Sequence, residues 1–293
     1  MKELIVASGK GGTGKTSFAA ALAALSDRPV ALADCDVDAA NLALLLPGED
    51  SQKRPFYAGH RARVQTEACS GCGDCVDVCR FDAIFLSGGV ARTDDLLCEG
   101  CRACSVVCPE DAIRFADNRI GWIGRRDTSI GPLVHAELGI AQNTSGKLVT
   151  EVRRLAREIA EKEGAELLIV DGPPGIGCPL HAAITGSSMV LAVSEPTPSA
   201  AGDLERLLDV CEHFGRRAVV AVNKSDLNGG DSQWLRPLED RKAPIVARVP
   251  FDEEVPRALA RRELPLVVED VSAALGNLWR RIESEISNSP DAA

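Results

Sequence analysis

Residues Ser8-Gly9-Lys10-Gly11-Gly12-Thr13-Gly14-Lys15-Thr16 bring together groups suited to binding a phosphate chain. Glycines let backbone N–H groups point inward at phosphate oxygens, and a helix opening behind them adds the partial positive charge of its N-terminus. The match to G-x-x-x-x-G-K-[ST] runs from Gly9 to Thr16, with Ser17 beyond it. Lys15 then reaches the outer phosphates, and the Thr16 hydroxyl suits Mg2+. A second chemistry is carried by eight of the eleven cysteines. They form two runs of C-x2-C-x2-C-x3-C, one at Cys69, Cys72, Cys75 and Cys79 and the other at Cys98, Cys101, Cys104 and Cys108. Soft thiolates at this spacing suit iron–sulfur clusters, since one loop can deliver three ligands. Zinc sites or disulfides do not require eight cysteines in a duplicated pattern.

The elements that must position these groups read as an alternation of strands and helices. Leu4-Ile5-Val6-Ala7 is an apolar run suited to a buried parallel strand, and Ser17-Phe18-Ala19-Ala20-Ala21-Leu22 reads as the helix after the loop. Val30-Ala31-Leu32-Ala33 is a second strand ending in Asp34-Cys35-Asp36-Val37-Asp38, and Pro47-Gly48 closes the helical turn that follows. Leu167-Leu168-Ile169-Val170 ends in Asp171 and then Gly172-Pro173-Pro174-Gly175. A carboxylate at the end of an apolar strand, opposite a phosphate loop, would hold Mg2+ through water. Residues 189–193, 218–222 and 245–249 are further strands, the last two running into Asn223-Lys224-Ser225-Asp226 and Pro250-Phe251-Asp252. The fold class expected is α/β, a mostly parallel sheet with helices on both faces and a ligand at the strands' C-terminal edge.

The cysteine-rich stretch interrupts this alternation. The expected organisation is 1–60 as the first part of the α/β domain, 61–117 as a small α+β insert, 118–288 as the second part, and 289–293 as a flexible tail. A net charge of −10 argues against a nucleic-acid binder. The first strand begins at the N-terminus, leaving no room for a signal peptide, and no apolar run is long enough to span a bilayer. A soluble, cytoplasmic protein is expected, and clustered cysteines there point to metal rather than disulfides. Cys35 and Cys211 read as small buried packing residues, and so does Cys178, with an interface thiol or a ligand in transit as its alternative.

The string K-G-G-T-G-K-T resembles the deviant Walker A motif of the MinD/ParA-type ATPases, a group that includes the nitrogenase iron protein and the Mrp-type iron–sulfur carriers. The resemblance implies that Lys10 crosses a homodimer interface to the partner's nucleotide, so that ATP joins two subunits. It assigns catalysis to Lys10, Lys15 and Asp36, with Asp36 in a switch I string orienting the attacking water. Mg2+ falls to Thr16, Asp36 and Asp171, with Asp171 as Walker B and Gly172, Pro173, Pro174 and Gly175 as switch II. Gly9, Lys10, Gly11, Gly12, Thr13, Gly14, Lys15, Thr16 and Ser17 would hold phosphates. Asn223, Lys224, Pro250, Phe251 and Asp252 would surround the base, with ATP favoured over GTP. The string Asn143-Thr144-Ser145-Gly146-Lys147 also resembles a family segment that touches a partner subunit, but an N-cap followed by a solvated lysine is the preferred reading.

The cysteine runs resemble a bacterial-type ferredoxin with two [4Fe–4S] clusters, in which the fourth cysteine of each run serves the other cluster. That assigns Cys69, Cys72, Cys75 and Cys108 to one cluster and Cys98, Cys101, Cys104 and Cys79 to the other. Arg80 stands where such proteins carry proline. The resemblance as a whole implies an ATP-dependent dimer that couples ATP hydrolysis to electron transfer through two clusters. Its partner would be a redox or metallocluster protein, a paralogous ATPase among the candidates. A cluster-assembly or carrier ATPase is the alternative, and a MinD-like positioning ATPase with a redox-sensing ferredoxin is the second. The apolar face of Leu275, Leu278, Trp279, Ile282 and Ile286 reads as a last helix docked on the sheet. Arg280 and Arg281 are offset there by Glu283 and Glu285, so no membrane attachment is expected.

Overall fold

The computed structural model describes residues 1–139, 146–227, 243–289 and 291. In chain order the described elements are β1 (Lys2–Ser8), α1 (Lys15–Leu25), β2 (Val30–Asp34), α2 (Leu42–Leu45), β3 (Gly48–Val64), α3 (Asp74–Asp77), β4 (Ile84–Ser87), β5 (Val90–Thr93) and α4 (Ala103–Val107). They continue with β6 (Ile113–Thr128), β7 (Pro132–Leu138), α5 (Gly146–Glu163), β8 (Leu167–Pro174), α6 (Cys178–Ile184), β9 (Met189–Ser194), α7 (Pro198–His213) and β10 (Ala218–Asn223). β11 (Ile245–Val249), α8 (Glu254–Ala260), a short 3-10 helix (Pro265–Val267) and α9 (Glu269–Ser287) complete them.

The chain divides into two compact units. One holds Met1–Arg54, Ile123–Glu137 and the described residues from Gly146 onward; the other holds Pro55–Trp122 and the segment beginning at Leu138. The second is wider at both ends than the cysteine spacing alone suggests, because the long strands β3 and β6 carry the chain into it and out of it.

The sheet runs in the order β11-β10-β9-β1-β8-β2-β7-β6-β3. β1 is parallel to both β8 and β9, and β2, β7, β10 and β11 join neighbours in the same sense. Such strands are buried on both faces, which is why β1, β8, β9 and β10 read as unbroken apolar runs rather than alternating ones. One face of the sheet, with Leu4, Val6, Leu32, Ile169 and Leu191, packs on α1 and α9 in a single core. The intervening residues Ile5, Ala31, Leu168 and Val190 are as deeply buried on the opposite face, the side to which α5 and α6 contribute. Leu275, Leu278, Trp279, Ile282 and Ile286 of α9 are buried against the sheet, as their spacing predicts. No described helix is long and apolar enough to cross a membrane.

A buried ion network braces the start of β1. Glu3 has no exposed surface, and both its oxygens are held by α5, one by Arg153 at 2.8 Å and the other by the Arg157 Nε at 3.0 Å. Arg153 also donates to the Ala182 and Thr185 carbonyls of the α6 segment. Strand, helix and helix end are thereby held in one register.

Candidate functional site

The turn between β1 and α1 has the backbone of a phosphate cradle. Gly12 and Gly14 take φ values of 79° and 97°, which side chains with a Cβ rarely adopt. Gly14 is the N-cap of α1, and neither a side-chain cap nor an acidic first turn satisfies the helix's leading N–H groups. They remain available to an anion. A Cβ on Gly9 would stand 2.5 Å from the Asp203 carbonyl of α7, whereas the space around Gly11 and Gly12 is open. Gly9 therefore serves close packing, as does Gly14, where a Cβ would stand 2.6 Å from Asn223 Nδ2, while Gly11 and Gly12 leave the turn open.

Parallel register brings the acidic residues to this turn. Asp34 of β2 pairs with Asp171 of β8, and Val6 pairs with Asp171 from the other side. Asp171 is fully buried, and neither carboxylate oxygen has a hydrogen-bond partner among the described residues. Burial raises its pKa to about 7; the nearby Thr16 hydroxyl and then Lys15 pull it down, without completing a hydrogen bond, and Asp36 raises it. Asp34 is pushed well above the usual carboxylate range first by burial and then by Asp171, although the N–H groups of Leu42 and Asp36 bind its oxygens. Asp36 is raised by burial, against the pull of Lys15, whose Nζ lies 3.9 Å from its Oδ2. Lys15 itself is buried.

Carboxylates gathered in this way are suited to a divalent cation. Among the described residues no group of His, Cys, Asp or Glu converges tightly enough to cage one alone. Mg2+ keeps several waters and takes one or two carboxylates plus phosphate oxygens. An orphaned Asp171 beside Thr16 fits this role.

Beyond the phosphate turn lies an apolar cavity. Gly12, Gly14, Ser17, Asn223, Lys224, Pro250, Phe251 and Asp252 all line it, so the residues expected around the base share one wall. Phe18, Val255, Pro256, Leu259 and Pro265 are among the other residues that line it, and no spacing rule marks them for this cavity in advance. Asn223 Nδ2 donates to the Thr13 carbonyl at 2.9 Å, tying β10 to the phosphate turn. Asp226 accepts the Phe251 N–H at 2.7 Å and anchors the loop after β11, without lining the cavity. Asp252 accepts the Glu254 N–H at the start of α8.

Glu195, at the end of β9, was not marked by the sequence. Its carboxylate lies 3.3 Å from Lys10 Nζ and 2.7 Å from Lys224 Nζ, so it bridges the phosphate turn and the base wall. Burial alone would raise its pKa, but the two lysines hold it below the ordinary value. Lys10 is one-third exposed in this arrangement.

In the second unit the two cysteine runs superpose on a 29-residue repeat that is reciprocal in its contacts. Ala62 donates its N–H to Cys98 Sγ and its repeat mate Ala91 donates to Cys69 Sγ, both at 3.4 Å. Gln65 N–H bonds to Ala112 O, and Asp94 N–H bonds to Ala83 O, both at 2.8 Å. Gly71 and Gly100 both have positive φ, and a Cβ on either would collide with the backbone of the opposite half, at Gly89 and His60.

This exchange sorts the cysteines. Cys69, Cys72, Cys75 and Cys108 line one small cavity, and Cys79, Cys98, Cys101 and Cys104 line another. Each group takes three thiols from one run and the fourth from the other. Cys75 and Cys104 are buried, and Cys72 and Cys101 are exposed. Burial first, then the neighbouring thiols Cys98 and Cys101, push the Cys104 thiol up to about 11. Four thiols facing one cavity, with backbone N–H groups aimed at their sulfurs, suit a cluster wider than a single ion.

The remaining cysteines divide. Cys35 and Cys211 are buried as expected. Cys178 is exposed, contrary to expectation. It opens α6, whose buried positions are Leu180, Ala183 and Ile184, and it follows an exposed turn. Residues Asn143, Thr144 and Ser145 of the segment expected at a partner contact lie outside the described residues, and Lys147 is exposed.

Residues 4–266 match the family described as the CobQ/CobB/MinD/ParA nucleotide binding domain. The uncharacterized protein MJ0578 of Methanocaldococcus jannaschii is 33% identical over 264 residues, 89% of each chain. MJ0579 of the same organism is 25% identical over 275 residues, 92% of this chain and 94% of its own. Among solved structures, the MinD cell division protein of Aquifex aeolicus is similar over 97% of each chain, with TM-score 0.55 and 20% identity. MinD of Pyrococcus horikoshii with Mg-ADP is similar over 96% of each chain, with TM-score 0.57 and 16% identity. The ATP complex of Cyanothece McdA is similar over 98% of this chain and 96% of that one, with TM-score 0.59 and 16% identity.

Proposed function

Because the chain belongs to the CobQ/CobB/MinD/ParA nucleotide-binding family, we propose that it is a Mg·ATP-dependent, dimerising ATPase. Its nucleotide cycle governs electron transfer through two [4Fe–4S] clusters to a redox or metallocluster partner. The observation that carries the redox half is the sorting of eight thiols into two cavities, each completed by a cysteine of the other repeat. A structural zinc site or a disulfide framework has no need of that exchange. When bound, the clusters supply one-electron chemistry, and these residues hold them and set their surroundings.

For the nucleotide half, the amides of Gly11–Gly14 and α1 bind the phosphates, and Lys15 neutralises the outer ones. Thr16 and Asp171 hold Mg2+, which relieves the buried carboxylates. Asp36, half-buried and near Lys15, orients the attacking water. Asn223 lines the cavity that takes the base, whereas Asp226, which accepts the Phe251 N–H on one oxygen, does not line it; adenine is the base this wall suits. The bound ATP and Mg-ADP of the McdA and Pyrococcus MinD structures agree with this choice. Lys10 reaches a second subunit's nucleotide once it leaves Glu195. Gly175, with φ 82°, follows the end of β8 and donates to the Ser8 carbonyl, so the loop after β8 is tied to the phosphate turn.

The test is anaerobic purification with assays for iron, acid-labile sulfide and Mg·ATP hydrolysis. The proposal expects about eight iron atoms per chain, and hydrolysis that is lost in Lys15→Ala. Absence of iron at full folding would remove the redox half. Exposed Cys178 favours a second reading, a carrier that passes clusters onward. That reading expects transfer to an apo-acceptor that fails in Cys178→Ser, with the eight-thiol content unchanged.

A further inference from the structure

The reciprocal repeat is a fair copy in backbone but not in charge. Around the first cavity, α3 carries Asp74 and Asp77 beside Cys75, where the matching positions of α4, beside Cys104, are Ala103 and Val106. Glu110 lines the first cavity; its repeat mate Phe81 lines the second. Gly73 lines the first cavity; its mate Arg102 lines the second, with its guanidinium 5.2 Å from the Phe115 ring of the same wall. Arg80 follows Cys79 of the second group, where Pro109 follows Cys108 of the first. Arg61 is buried with its Nε unpartnered, next to the Ala62 that donates to Cys98; its mate is Val90. Opposing this trend are Glu99 on the second cavity, Asp94 and Asp95 where the first half has Gln65 and Thr66, with Asp95 near Arg61 and paired with Arg63, and, on the first group's side, Arg92 next to Ala91, Arg114 next to Ile113 and an added N–H from Ala112 to Cys108. The acidic residues still gather at the first group and the cationic ones at the second.

Reducing a cluster adds one negative charge, so cations nearby favour the reduced form and carboxylates oppose it. From this asymmetry we propose that the two groups differ in reduction potential, and that the electron settles on the group of Cys79, Cys98, Cys101 and Cys104. The inference rests on the two-cluster reading above. Each group accepts one electron from a one-electron carrier, which is oxidised by the same electron; no bond is made or broken and no proton moves. The first group is then the poorer electron holder and the second the internal terminus.

The test is an anaerobic potentiometric titration of the full chain followed by electron paramagnetic resonance, with iron content measured on every sample. Two one-electron waves are expected, separated by roughly tenfold or more in equilibrium constant, ~59 mV. Arg102→Gly should lower the upper wave alone, by roughly threefold or more in equilibrium constant. Glycine suits the φ of 69° at this position and is what the repeat mate already has. Arg102→Lys, which keeps the charge, should hold the wave in place, and Asp74→Ala should raise the lower wave alone. Coincident waves overturn the proposal, as does a shift of the lower wave in Arg102→Gly. Iron for fewer than two clusters in the folded wild type instead overturns the reading beneath it.

Discussion

Replacing Asp171 by Asn separates what the carboxylate costs the fold from what it does for the ligand. Asp171 is fully buried, with both oxygens unpartnered, and its pKa stands at about 7 rather than 3.8. A raised acid favours the folded chain while it is protonated, and that advantage is lost as pH rises through the folded value. Without nucleotide and Mg2+, stability should therefore fall between about pH 4 and pH 7, by about 4 kcal/mol for a shift of this size. The amide removes the charge but leaves a buried polar group, which costs about 1–3 kcal/mol. Asp171→Asn should thus stabilise the nucleotide-free protein by about 1–3 kcal/mol near pH 8 and change it little near pH 5. It also relieves Asp34, whose carboxyl is held up by burial and then by Asp171. The assay is thermal or urea unfolding of the α/β unit at both pH values, with and without Mg·ADP. Stabilisation by Mg·ADP should shrink sharply in the variant. A variant less stable than wild type at pH 8, or one that keeps the full Mg·ADP effect, would refute the assignment of this carboxylate to the metal.

Asp36→Asn should slow hydrolysis by about 10²–10⁴-fold while nucleotide binding, followed by calorimetry, stays within a few-fold, since the residue acts on the water rather than the phosphates. Cys104→Ser should reduce iron and sulfide to about half, leaving the other group loaded, because the structure splits the thiols four and four. Loss of all iron would mean the groups do not load independently. Glu3→Gln leaves Arg153 and Arg157 facing a neutral amide in a buried site and should cost about 3–5 kcal/mol in unfolding experiments.

Much of this was legible because the chemistry is local in sequence. Gly9 to Thr16 and the eight cysteines are spaced by loop geometry, so the motif and the geometry are the same information. Asp171 was expected after an apolar strand, and the parallel register of β8 with β1 and β2 puts it opposite Val6 and Asp34. The pairing of Cys79 with the second run came from resemblance, and the structure reaches the same grouping through the exchange of Ala62 and Ala91 between halves. What was not legible is tertiary. Glu195 meets Lys10 and Lys224 only because β9, β1 and β10 are neighbours in the sheet, and nothing local to Glu195 announces it. The packing of Gly9 on Asp203 and the far wall at Val255–Pro265 have the same origin. Cys178 was misjudged because a cysteine is usually buried, while its place at the start of α6 turns it outward.

The central claim is that nucleotide state and cluster chemistry are coupled. Its most direct test is the midpoint potential of each cluster, taken anaerobically with Mg·ADP and then with a non-hydrolysed ATP analogue. Coupling predicts a shift of at least ~59 mV, tenfold in equilibrium constant, in one or both waves, abolished by Lys10→Ala. Potentials that are identical in the two nucleotide states would contradict the account.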